Sequence, residues 1–260
     1  MDWAKAKTYL ILAFAITNII LMSNIFSDYG GSLNKTYFSK ESIENFNELL
    51  TQQGISLSTE LPKDTPKMGT LKVEYEKIDE EKLDVLYSDY GMGLQVMDRK
   101  QITINSYHNI QEISKENVIK ESEKFMKAHD DTWDYEIKYI KEEDEFTTIY
   151  YNSLFEDMFL EESYMSFTYD IHGGFNLEMI RLHVLEKGKN KKEVMTSVEA
   201  VMRTLSQLER GDDITEIRLG YYLYMDQSVP ITQTRSATAF PSWRIKTADG
   251  RYFYVQAFEF

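Results

Sequence analysis

The sequence predicts an α+β fold carried on a single N-terminal transmembrane helix. Three observations predict it. Residues 9–26 run 18 positions without a charge, three later segments carry apolar residues at helical spacing behind a Ser or Asn, and the stretches between them alternate apolar and polar with a period of two. Strands joined by hairpins, with about three helices packed on them, give antiparallel sheets, arranged in one domain or two α+β lobes.

The apolar run comes first. As a helix, Tyr9–Phe26 spans roughly 27 Å at ~1.5 Å per residue, close to the ~30 Å hydrocarbon core. No small-x-small cleavage pattern follows Phe26, and there is no Cys to carry a lipid, so the run is expected to stay as an anchor. Lys5 and Lys7 precede it and Asp28 follows. The positive-inside bias then places residues 1–8 in the cytoplasm and the remainder outside the cell. Ser27–Lys35, with Gly30-Gly31, reads as a short tether.

Apart from Asp2, Lys5 and Lys7, the chain has 42 acidic and 27 basic residues, a net charge of −15. Such a domain is repelled by nucleic acid and by anionic headgroups. The absence of Cys excludes disulfides, thiolate catalysis and Cys-based zinc sites. Thirty-five aromatics against four prolines argue for a folded core.

The helices are placed by their starts. Ser39 precedes Ile43, Phe46, Leu49 and Leu50, and Gly54 ends that stripe. Ser114 precedes Val118, Ile119, Phe125 and Met126. Asn190, with Glu193 placed for a capping box, precedes Val194, Val198, Val201, Met202, Leu205 and Leu208, with Gly211 beyond. The near-equal spacing of the starts hints at a repeated helix-then-strands unit, with lobes over 36–111 and 112–260.

The strands follow from alternation: Leu71–Tyr75, Tyr135–Tyr139, Ile217–Met225, and Trp243–Ile245 leading through Asp249-Gly250 to Phe253–Ala257 with a type I′ signature. In Tyr164–Leu185, a His172-Gly173-Gly174 loop sets Tyr169 opposite Leu177 and Phe167 opposite Met179, with a bulge near Met179–Ile180. Trp243 is expected in the core.

Catalytic motifs are missing: no G-x-S-x-G, no P-loop pattern, no H-E-x-x-H. The register keeps His172 and His183 apart, and no metal or cofactor is expected. The densest carboxylates, Glu142-Glu143-Asp144-Glu145 and Glu161-Glu162, read as solvated turns, with glycosidase chemistry on a wall polymer as a weaker alternative. The candidate contact residues lie in the anchor. Asn18 stands at mid-span beside Thr17, Asn24 lies near the outer end, and Ala13-x-x-x-Thr17 allows close approach of a second helix.

The termini, MDWAKAKTYLI and PSWRIKTADGRYFYVQAF, resemble those of the YycI family, and so does the layout of cytoplasmic tip, anchor and external α+β domain. The resemblance implies a non-enzymatic, membrane-anchored regulator. Its implied partners are a YycH-type protein and a WalK-type (YycG) sensor histidine kinase, which controls cell-wall metabolism in Gram-positive bacteria. The alternative from another class is an external module that senses a wall-derived ligand.

Overall fold

A computed structural model describes residues 38–76, 81, 93–97, 101–107, 114–129, 134–224 and 236–258. The anchor, the tether and residues 225–235 lie outside these. Among the described residues no helix is long and apolar enough to cross a membrane. The chain forms two compact units.

The first unit takes its described residues from the chain up to Thr65, from Met195–Ile217 and from Lys246–Arg251. Its helix α1 (Lys40–Gln53) starts where Ser39 Oγ accepts from Ser42 N–H at 3.1 Å. Phe46 and Leu50 make its buried face. Gly54 ends it at φ 73°, a left-handed conformation that costs glycine little. Strand β1 (Ser56–Leu57) then pairs in parallel with Asp213 and Ile214, the first residues of β12 (Asp213–Tyr222). Helix α3 (Ser197–Thr204) packs Val198, Ala200 and Val201, and Ser197 Oγ donates to Pro62 O at 2.7 Å.

This helix begins later than the sequence pattern indicates. Its cap is Thr196, which accepts from Glu199 N–H at 3.1 Å. Lys192–Glu193 instead forms the two-residue strand β11, paired with β2 (Lys67–Met68) in the second unit. The even spacing of helix starts is therefore lost. The tip of the last hairpin also differs from a type I′ turn. Gly250 alone has positive φ, 89°, and Thr247 N–H donates to Arg251 O at 3.1 Å across a three-residue loop. Asp249 accepts from the Thr247 hydroxyl and from Arg251, and these bonds hold its pKa down at about 2.

The second unit takes its described residues from Pro66–Val194, Arg218–Ile245 and Tyr252–Phe260. Its strands include β3 (Leu71–Tyr75), β4 (Gly93–Met97), β5 (Gln101–Tyr107), β6 (Tyr135–Glu142), β7 (Phe146–Phe155), β8 (Met158–Asp170), β9 (Gly174–Ile180), β10 (Leu182–Lys187), β13 (Ser236–Thr247) and β14 (Tyr252–Gln256). The order is β10-β3-β13-β12-β8-β9-β5-β4, with β14 on β13, β7 on β8 and β6 on β7. The sheet is mixed and mostly antiparallel; β12 meets β8 in parallel at Tyr221–Leu160. One face buries Ile149, Tyr151, Phe167, Phe175, Leu177 and Met179 against Val118 and Phe125 of α2 (Lys115–His129). Ser122 Oγ and Tyr151 OH share a buried hydrogen bond of 2.7 Å. Trp243 is 1% exposed, a core residue as expected.

The β8–β9 register differs from expectation by two residues: Tyr169 faces Phe175, Phe167 faces Leu177 and Met165 faces Met179. A shift of two keeps every inward side chain inward, so the apolar pattern alone does not distinguish the registers. No bulge is needed at Met179–Ile180. After Ile180 the chain changes partner, and β10 pairs with β3. At the other end of β8, Glu156 and Asp157 both have positive φ, 51° and 64°, between the paired Phe155 and Met158. This is a two-residue primed turn made without glycine.

Candidate functional site

A cluster of buried charges in the second unit is the most distinctive chemical feature among the described residues. It begins with a slip in the β7–β8 ladder. Asn152 pairs with Tyr164, but its neighbour Ser153 pairs with Leu160, so Glu161, Glu162 and Ser163 are extra residues on β8. A bulge of this kind turns side chains out of the regular alternation. Each of the three is engaged. Asn152 Nδ2 donates to Glu161 O at 3.0 Å, Leu223 N–H donates to Glu162 Oε2 at 3.1 Å, and Leu182 N–H donates to Ser163 Oγ at 3.2 Å.

Glu161 is almost fully buried, and its carboxylate meets two cations. One is Lys138, which binds Oε1. The other is Arg244, whose Nη1 lies 3.3 Å from Oε2. Arg244 is 1% exposed; it also donates to Asn152 Oδ1 at 2.9 Å and lies 3.7 Å from Glu136. Glu136 in turn accepts from Arg218 at 2.6 Å. The Arg244 guanidinium stacks 4.2 Å from the Phe159 ring centre. That ring needs the space left by Gly220, where a Cβ would come within 2.5 Å of it.

Lys138 reaches the cluster through a second bulge. The β6–β7 register shifts between Ile137 and Tyr139, so Lys138 turns inward and Ile137 is 41% exposed. This corrects the regular alternation expected for Tyr135–Tyr139. The ammonium donates to Tyr254 OH at 3.2 Å and sits 4.4 Å from the Tyr252 ring centre. Burial lowers the Lys138 pKa, while the Glu161 carboxylate opposes that shift. Glu162 is pushed up to about 8, first by burial and then by the neighbouring Glu161 charge, against the Leu223 N–H bond that lowers it. Burial thus favours the neutral form of Glu162. Tyrosines enclose the group. Tyr222 stacks on Tyr254 at 4.3 Å, and Tyr139, Tyr150 and Tyr164 stack in series at 5.1 and 4.7 Å.

The two acidic stretches thus differ. Glu142–Glu145 is an exposed turn, whereas Glu161-Glu162 lies inside a 13-residue strand and is not a solvated turn. The arrangement is an ion-paired, hydrogen-bonded network joining β6, β7, β8, β12, β13 and β14. Its ions neutralise one another, as buried charges require. Among the described residues no three His, Asp or Glu side chains are placed to hold a metal ion. His172 and His183 are apart: the backbone of the first caps a turn on Asp170, and the second, half-exposed, lies 3.8 Å from Glu76. The anchor residues Ala13, Thr17, Asn18 and Asn24 lie outside the described residues. Sequence reasoning missed Arg244 and Lys138. The one available signal was a charged residue between Trp243 and Ile245 in an apolar strand.

No curated protein matches the chain. Several solved structures are similar to it, among them these two. An uncharacterized protein from Eubacterium rectale has 11% identity and a TM-score of 0.47, covering 74% of this chain and 84% of that one. The YpeB C-terminal domain from Bacillus megaterium has 10% identity and a TM-score of 0.39, covering 84% and 92%. The family model described as YycI protein matches residues 33–258. The chain belongs to the YycI family, whose members are membrane-anchored, non-enzymatic regulatory proteins of the YycG/WalK two-component system.

Proposed function

We propose that this chain modulates a wall-controlling WalK-type sensor histidine kinase together with a YycH-type partner, in part through contacts of its transmembrane helix. The family match over residues 33–258 carries this reading. The sequence of residues 1–35 supports it. Lys5 and Lys7 hold the tip in the cytoplasm, residues 9–26 span the bilayer, and a short tether leads to an external domain. The buried charges of that domain have one another as partners, which fits a structural role for the cluster rather than a reacting one.

The physical route is a helix bundle whose packing favours one of two kinase states. A regulator shifts such an equilibrium only by contacting the two states differently. Asn18 at mid-span carries donors and an acceptor that lipid cannot satisfy, and a neighbouring helix can. Ala13 and Thr17 let that helix come close, while Asn24 near the outer end competes with water.

The test is partner recovery from detergent-solubilised membranes, alongside kinase output in cells. Asn18→Leu should leave the protein inserted and weaken association ~3- to 30-fold, from ~0.6–2 kcal/mol per interhelical bond. Asn24→Leu should weaken it less. An unrelated anchor should weaken it further, because the Ala13 and Thr17 packing is lost as well. Unchanged recovery and output with the swapped anchor would overturn the transmembrane route and move the contact to the external domain.

A further inference from the structure

Away from the charge cluster, β3, β10 and β13 carry a polar cleft of about 290 Å³, lined by Thr70, Lys72, Glu186, Gly188, Ser236 and Thr238, among others. Lys72 lies on the middle strand. Thr238 of β13 faces it on one side and Glu186 of β10 on the other. The position of Glu186 is the product of a bulge. Pairing is regular from Leu182–Tyr75 through Val184–Val73, and the next step would set Leu185 opposite Lys72. Instead the register slips by one residue. Glu186 takes the place facing Lys72, and Leu185 is left 48% exposed. The slip exchanges an apolar neighbour for a carboxylate and leaves a leucine in water, the re-aiming that bulges perform beside binding sites.

Opposite charges directly across an antiparallel pair are close enough to bond to each other. Lys72 and Glu186 do not bond. Among the described residues neither side chain has an ion pair or hydrogen bond, nor do the hydroxyls of Thr70, Ser236 and Thr238. The wall behind them is held firmly. Gly188 N–H donates to Thr70 O at 2.7 Å, and Gly188 O packs so close to Gly69 that a Cβ there would lie 2.4 Å away. The cleft thus presents one unpaired ammonium, one unpaired carboxylate and three unbonded hydroxyls on a fixed backbone.

Its size restricts the occupant. At ~30 Å³ per water, the space holds on the order of ten waters, at the small end of ligand pockets. Directly opposed side chains have Cβ atoms about 5 Å apart, a spacing comparable to that between the two ends of a short peptide. The geometry points to a binding site for a small zwitterion, a free amino acid or dipeptide, whose carboxylate meets Lys72 and whose ammonium meets Glu186. The cleft and its occupant are independent of the anchor contacts.

Calorimetric titration of the full-length chain in detergent micelles with alanyl-alanine tests this. N-acetyl-alanyl-alanine and alanyl-alanine amide, each lacking one charge, serve as matched probes. The expected result is saturable binding of the zwitterion, weakened at least about tenfold by either block and by either Lys72→Gln or Glu186→Gln, the loss that follows removal of one charge-assisted bond. Both substituted side chains are exposed, so thermal melting of the variants should match the wild type. No saturable binding, equal binding of the blocked dipeptides, or undiminished binding to both variants would overturn the site.

Discussion

Glu142–Glu145 and Glu161-Glu162 look alike in the sequence and fare oppositely in the fold. The first closes the β6–β7 turn in water, with Glu143 N–H on Phe146 O at 2.8 Å and a surface ion pair from Lys141. The second sits in a strand bulge, where Glu161 is out of water between a lysine and an arginine brought from other strands. The comparison teaches that local charge density does not decide whether a carboxylate is solvated. Cations delivered from distant sequence decide it, and Arg244 comes from 83 residues away.

The largest effect should come from removing that delivered cation. Arg244→Met leaves Glu161 and Glu136 short of a buried partner, and about 3–5 kcal/mol of stability should be lost. Urea unfolding of the full chain in micelles measures it; a loss below about 1 kcal/mol would mean the cluster is hydrated after all. Lys138→Met should cost less, about 1.5–3 kcal/mol, because Arg244 still holds the other carboxylate oxygen.

Glu162 sharpens the comparison through pH. Its folded pKa of about 8 lies above the ordinary carboxylate value of 4.5. Between those values the folded chain keeps a proton that the unfolded chain has released. Its contribution is therefore full below pH 4.5, declines as pH rises, and is gone above about 8. The slope is at most about 1.4 kcal/mol per pH unit. Glu162→Gln should flatten the loss of stability between pH 5 and 8, and parallel curves for variant and wild type would contradict the burial of that carboxyl. The smallest effect belongs to the solvated turn. Glu145→Gln should change stability by no more than about 0.5 kcal/mol at any pH in that range; a larger change would erase the contrast between the two stretches.

What was legible in the sequence was local. Ser39 and Ser114 mark true helix starts because their caps act within three residues. Leu71, Val73 and Tyr75 are all buried, as their alternation indicates. Asn190-x-x-Glu193 imitated a capping box, but Lys67–Met68 claimed Lys192–Glu193 as a strand, a choice made across more than a hundred residues. The β8–β9 register was ambiguous because a two-residue slip preserves the faces. The charge cluster was illegible for the same reason at larger scale: it depends on two bulges and on six strands, and a bulge leaves little trace in alternation. Lys138 fits the alternation of Tyr135–Tyr139 and left no trace; the charge of Arg244 between Trp243 and Ile245 was the one signal.

The bulge at Glu161–Ser163 also sets an order of events in synthesis. Glu161 finds Lys138 already made upstream, but its second cation, Arg244, lies 83 residues downstream, and at ~5–20 residues per second those residues take roughly 4–17 s to emerge. Through that interval Glu161 has one of its two counter-ions. The final hairpin therefore acts as the closing step of maturation, and a nascent chain stopped short of Trp243 should stay open to proteases.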